Sequence, residues 1–119
     1  MIFDDVVQSA VENVHGGLAA VIMGRDGISL SQFRAETSEV DIETLGIEYA
    51  NLYAEIGKAA STLGSGSVQE VILLTDLYQI LIRSVNPEYF IALILTPDGN
   101  LGKGRFLLRV SVPKIVAEL

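Results

Sequence analysis

His15 is the only histidine in the chain, and there is no cysteine. Together these facts exclude a thiolate nucleophile, a disulfide, a cysteine-ligated zinc and any site with two histidine ligands. His15 precedes Gly16-Gly17 at the end of a helical pattern, where an imidazole meets the helix dipole. No second histidine or carboxylate stands at a spacing that would make it a catalytic base. The turn Gly99-Asn100-Leu101-Gly102-Lys103-Gly104-Arg105 follows a strand pattern and opens a helix, a setting in which backbone N–H groups hold phosphate. A Walker loop would continue Gly-Lys-Ser/Thr, whereas Lys103 is followed by Gly104, and a dinucleotide loop would need a further strand. Lys103 and Arg105 remain two cations that an anion could meet. The plainer reading is that these glycines let the helix start pack closely on the sheet. Gly64-Ser65-Gly66-Ser67 lacks the Gly-x-Ser-x-Gly elbow of a hydrolase. Asp4/Asp5 and Glu36/Glu39 are paired carboxylates in polar stretches, and solvated pairs make poor acids. Asp26 and Asp98 each precede a glycine and mark turns. These residues predict a protein that is no enzyme and uses no cofactor or metal.

The balance of residue types points the same way. The chain has 119 residues, half of them hydrophobic and 19% charged, which fits one globular domain over 1–119 rather than a disordered segment. No apolar run reaches the ~18 residues of a membrane helix. The acidic start Met1-Ile2-Phe3-Asp4-Asp5 is unlike a secretory signal, so a cytoplasmic location is expected. The formal charge is −7, with 3 Lys/Arg against 12 Asp/Glu in residues 1–80 and 5 against 3 in residues 81–119. So acidic a surface repels phosphate backbones and excludes nucleic acid as the expected partner.

Hydrophobic spacing then places the elements. Phe3, Val6, Val7, Ala10, Val11 and Val14 lie three and four apart and predict a helix over 3–13, closed by Gly16-Gly17. Leu18–Met23 is a short apolar run that reads as a strand buried on both faces. Arg25-Asp26-Gly27 is a hairpin signal, and Ile28–Ser31 alternates as an outer strand should. A polar loop spans 34–39. Strands are expected over Val68–Leu74, Tyr78–Val85 and Phe90–Leu95, the last central because it has no polar member. The turns between them are too short for crossover helices, so they pair antiparallel. A last helix runs from Leu101 to Leu119, with Pro113 expected to kink or divide it. The fold class is α+β, a five-stranded antiparallel sheet flanked by helices in the order α-β-β-α-β-β-β-α.

The long helix over 41–63 carries the most information. Asp41 can cap it, with Thr44 at the third helical position. At 100° per residue its side chains sort into three stripes. Ile42, Leu45, Tyr49, Leu52, Ile56 and Leu63 form the expected core face, and Thr44, Glu48, Asn51, Glu55, Lys58 and Thr62 the solvated one. Between them run Gly46, Ala50, Ala54, Gly57 and Ser61, with Ile47 at the edge. Two helical glycines cost about 1 kcal/mol each relative to alanine. Close approach of another helix offsets that cost, and a second copy of this chain is the expected neighbour.

The string Gly17-Leu18-Ala19-Ala20-Val21-Ile22-Met23-Gly24-Arg25-Asp26-Gly27 resembles the first hairpin of the roadblock/LC7 family, and Asn100-Leu101-Gly102-Lys103-Gly104-Arg105 resembles the start of that family's final helix. The element order agrees over essentially the whole chain. The resemblance implies a sheet with the long helix on one face and the two terminal helices on the other. It also implies a homodimer joined at the third strand, here Ser67–Thr75, so that Val68, Glu70 and Ile72 meet the second copy beside the helix stripe. Within the family the chain looks most like the MglB type, regulators of an MglA-like, Ras-like small GTPase in bacterial polarity. Such a regulator supplies no arginine finger and acts by reshaping its partner's switch region. By that analogy Thr44, Glu48, Asn51, Glu55 and Lys58 form the GTPase-facing surface. A scaffold that tethers a GTPase or another protein without changing its turnover is the alternative.

Overall fold

The computed structural model describes all 119 residues. In chain order they form α1 (Ile2–Glu12), β1 (Gly17–Gly24), β2 (Ser29–Arg34), α2 (Ile42–Thr62), β3 (Glu70–Leu74), β4 (Gln79–Ser84), β5 (Tyr89–Leu95) and α3 (Leu101–Val116). The strands make one sheet in the order β2-β1-β5-β4-β3, with every pairing antiparallel. The strand without a polar residue therefore does lie at the centre, since only a residue covered on both faces loses nothing by being apolar throughout. β2 and β3 are the two edges.

Period-two alternation divides the buried residues between two layers. Ala20, Ile22, Leu81, Ile91, Leu93 and Leu95 point toward α1 and α3, where they meet Val7, Val11, Leu108 and Ile115. Ala19, Val21, Met23, Ile80, Ile82, Phe90, Ala92 and Ile94 point to the other face and meet α2 through Ile42, Ala50 and Tyr53. Each fully buried Leu, Ile or Phe contributes about 1.5–3 kcal/mol, which makes these layers the main source of stability. The turns follow the sequence: Gly16 and Gly27 take φ of 85° and 88°, and Asp26 Oδ1 accepts from the Ile28 amide at 3.0 Å. Pro113 does not divide α3, which runs unbroken to Val116. The proline removes a single intrahelical bond one turn from the end, where few bonds remain to lose.

The orientation of α2 corrects the sequence reading. Its buried residues are Ile42, Gly46, Ala50 and Tyr53; of the expected core stripe Ile42 is buried and Leu45 and Tyr49 pack against the core's edge, whereas Leu52 and Leu63 are 42% and 81% exposed. On a helical wheel the core face is turned by about 80° from the expected one. The reason is distance. Over β1 the helix sits so low that a Cβ on Gly46 would lie 2.7 Å from Met23 Cε. Only the small side of the helix fits there. Tyr53 fills the remaining depth, its ring 5.8 Å from that of Phe90 and its hydroxyl donating to the Val68 carbonyl at 3.2 Å.

Candidate functional site

Helix α2 holds the site that the sequence singled out, and its local chemistry starts at its cap. Asp41 Oδ1 accepts from the Thr44 amide at 3.1 Å and Oδ2 from the Thr44 hydroxyl at 2.7 Å. These two bonds hold the Asp41 carboxyl below its usual range, because both favour the charged form. The capped helix then presents two open surfaces.

The first is its outer pole, opposite the sheet. Thr44, Glu48, Asn51, Glu55 and Lys58 are distributed along it, as the wheel requires. Lys58 Nζ lies 3.2 Å from Glu55 Oε1, so the only cation on this pole is already engaged. Glu48 and Glu55 leave the pole acidic.

The second surface is the flank between pole and core. It carries Leu45, Tyr49, Leu52, Ile56, Ala59 and Leu63, at spacings of four, three, four, three and four residues. That is the spacing of a coiled-coil seam. None of the six is fully buried. On the same side of the sheet Val71 and Leu73 of β3 are only half-covered, and Ile72, Leu74 and Leu77 at that edge are 38%, 63% and 67% exposed. An apolar helix flank and an unpaired apolar strand edge thus border the same core layer.

The residues expected at a helix–helix contact divide accordingly. Gly46 and Ala50 are buried against the chain's own β1, so they are not open to a second copy. Ile47 is 41% exposed but lies on the opposite flank, beside Gly27. Ala54 is half-buried, a Cβ on Gly57 would meet nothing within 4 Å, and Ser61 is exposed. On β3, Val68 is tied to Tyr53 through its carbonyl, and Ile72 is exposed. Glu70 is committed within the chain, to Arg83 at 3.2 Å and Arg105 at 2.7 Å. Sequence reasoning missed the flank because it assigned the large residues to the core. The four-three spacing was the signal that could have found it.

The remaining candidates stand apart. His15 Nε2 is 3.6 Å from Asp98 Oδ2, and both are exposed. Asp98 also accepts from the Thr96 hydroxyl at 2.6 Å, which with its own backbone amide and His15 lowers its pKa. In the 99–105 turn, Asn100 Oδ1 accepts from the Lys103 amide at 3.0 Å, and a Cβ on Gly104 would sit 3.1 Å from Leu93. This is the close-packing arrangement. Arg105 is held by Glu70, which leaves Lys103 the free cation of that corner. The chain has no group of three or more side chains placed to hold a metal ion. No helix is long and apolar enough to cross a membrane.

Neither a protein-family model nor a curated protein sequence matches this chain. Solved structures do. MglC from Myxococcus xanthus is 43% identical over the whole of both chains, with a TM-score of 0.72. A roadblock/LC7 domain from Streptomyces avermitilis is 16% identical, with a TM-score of 0.86 over 97% of this chain and 95% of that one. The gliding protein MglB from Thermus thermophilus is 18% identical, with a TM-score of 0.83 over 93% of this chain and 83% of that one. The last two share the fold, and MglC shares much of the sequence as well.

Proposed function

Because this chain belongs to the roadblock/LC7 family, we propose that it is a non-enzymatic homodimer that regulates a Ras-like small GTPase of the MglA kind. In this reading two copies join at β3 and along the flank of α2, and the paired outer poles receive the partner. The observation that carries it is the presence of two separate open surfaces on one helix. An apolar seam on the same sheet face as a bare strand edge suits self-association, since exposed apolar edges are otherwise an aggregation hazard. One MglB structure of this fold has a tetrameric arrangement, so self-association has a precedent in the fold. The polar pole lies about 90° around the helix from the seam and stays free when the seam is covered.

The partner's hydrolysis is stimulated by reshaping its switch region, with no arginine finger. An arginine finger places a free cation on the transferring phosphate. The pole of α2 has only Lys58, already paired with Glu55. The same feature favours a second reading, a scaffold that holds the GTPase without changing its turnover. Mixing the protein with the Ras-like GTPases of its own genome separates the two. Faster phosphate release supports regulation, co-elution at an unaltered rate supports tethering, and neither effect with any of them removes both.

A further inference from the structure

Bordering the outer pole at Lys58, the C-terminal half of α2, the 64–69 loop, the β4–β5 turn and the C-terminal half of α3 enclose an open cleft of about 1120 Å³. Arg25, Lys58, Arg83 and Arg109 line it, half of the eight Lys/Arg in a chain with 15 Asp/Glu. No carboxylate lines it. The four cations come from four different parts of the fold, so their convergence is a property of the tertiary structure.

Two of them are neutralised from outside the cleft, Lys58 by Glu55 and Arg83 by Glu70, each at 3.2 Å. The other two have no carboxylate partner. Arg109 lies over the Phe106 ring at 5.7 Å. Arg25 lies over the Tyr53 ring at 4.7 Å, and its Nη2 donates to Ser84 Oγ and the Asn86 carbonyl, both at a long 3.5 Å. Arg25 Nε is buried with no acceptor. A guanidinium has five donors in a fork that matches a carboxylate, and leaving such a group incompletely bonded is costly. Stacking on Tyr53 fixes the Arg25 side chain in place without using those donors. The chain therefore packs this arginine against Tyr53 and leaves its bonding unfinished.

The shape of the cleft selects the ligand. Small-molecule pockets enclose most of their ligand and are lined mainly by apolar side chains. This cleft is open, and only Ala54, Val68, Val85 and Val112 among its lining residues are hydrophobic. Gly64, Gly66, Ser61, Ser67 and Asn86 are among its small and polar walls. Such a trough suits an extended chain with several negative charges. We propose that it binds an acidic polypeptide segment of a partner protein, with Arg25 and Arg109 as the principal charge contacts. The site is independent of the GTPase-facing pole except for Lys58, which stands at the border of both.

A fluorescein-labelled ten-residue glutamate peptide tests this by anisotropy at low salt, with a ten-residue lysine peptide as control. Glutamate-peptide binding that weakens as salt rises is expected, with no binding of the lysine peptide. Arg109→Glu, an exposed position, should weaken it at least about tenfold. Lys103→Glu makes the same change in net charge outside the cleft and should have less than about a twofold effect. Arg25→Gln should weaken binding with the far-UV circular dichroism unchanged. Should it fail to fold, Arg109→Gln is read in its place. The proposal is overturned by undetectable peptide binding at millimolar concentration, or by equal losses in Arg109→Glu and Lys103→Glu. Displacement of the peptide by micromolar inorganic phosphate or GTP would also overturn it, since the cleft would then be a small-anion site. GTPase regulation is read from phosphate release and can fail or succeed separately.

Discussion

A methyl group added at Gly46 would lie 2.7 Å from Met23 Cε, inside the layer between α2 and β1, whereas one added at Gly57 would meet nothing within 4 Å. Both positions look alike in sequence, a glycine within a long amphipathic helix. Gly46→Leu must overpack a site that is already full, and we expect it to cost about 1–3 kcal/mol. Gly57→Ala should instead gain up to about 1 kcal/mol from helix propensity alone. Urea midpoints read both, and an unchanged midpoint for Gly46→Leu would mean that α2 does not sit with this side on the sheet. Asp41 makes a pH-dependent prediction of its own. Its pKa is lowered by the bonds from Thr44, so its contribution to stability is fully present above the unfolded carboxylate range. That contribution disappears as pH falls through the lowered folded value. Asp41→Ala should therefore be less stable than the parent protein near pH 7, and the two should converge in strong acid. A difference that persists at pH 2 would assign the effect to something other than this ionised cap.

At the level of elements, the sequence was legible wherever one physical requirement acted alone. Phe90–Leu95 needs cover on both faces and so is apolar throughout, and its central place in the sheet follows. Asp26-Gly27 and Asn100 specify their turn and cap through their own side chains. Helix α2 was misread because two requirements compete there. Hydrophobicity ranks Leu52 and Leu63 above Gly46 and Ala50, yet a helix lying close on a flat strand needs small residues beneath it. The large residues are displaced to the flank, where this chain covers them only in part. That displacement yields a prediction. Leu52 is near the middle of the four-three seam, and Leu52→Lys puts a charge into any helix pair formed there. Light scattering at micromolar concentration should show about twice the mass of one chain for the parent and one chain for the variant. A parent already of single-chain mass would remove the seam. The basic cleft was illegible for a different reason, since Arg25 and Arg109 stand far apart in sequence and only the fold brings them to one trough.

Across the whole molecule the charges are segregated, and this separates the roles of its surfaces. The formal charge of −7 is carried mainly by the first 80 residues, and the outer pole of α2 displays Glu48 and Glu55. Half of the cations gather instead in the cleft with Arg25 and Arg109. A partner that docks on the pole is steered by a negative field, so its association rate is sensitive to salt. The paired charge reversal Glu48→Lys with Glu55→Lys should then weaken GTPase binding about tenfold at low ionic strength, mostly through slower association. The gap should narrow as added salt shortens the reach of these charges to about 3 Å at 1 M. Both residues lie outside the apolar seam, so the variant should keep the dimeric mass, and outside the cleft, so its affinity for the glutamate peptide should not fall. Surface plasmon resonance over a salt series measures the first effect, and light scattering and anisotropy the other two. An unchanged association rate would move the GTPase contact off α2, whereas a loss of dimer mass would place Glu48 and Glu55 in the interface between copies.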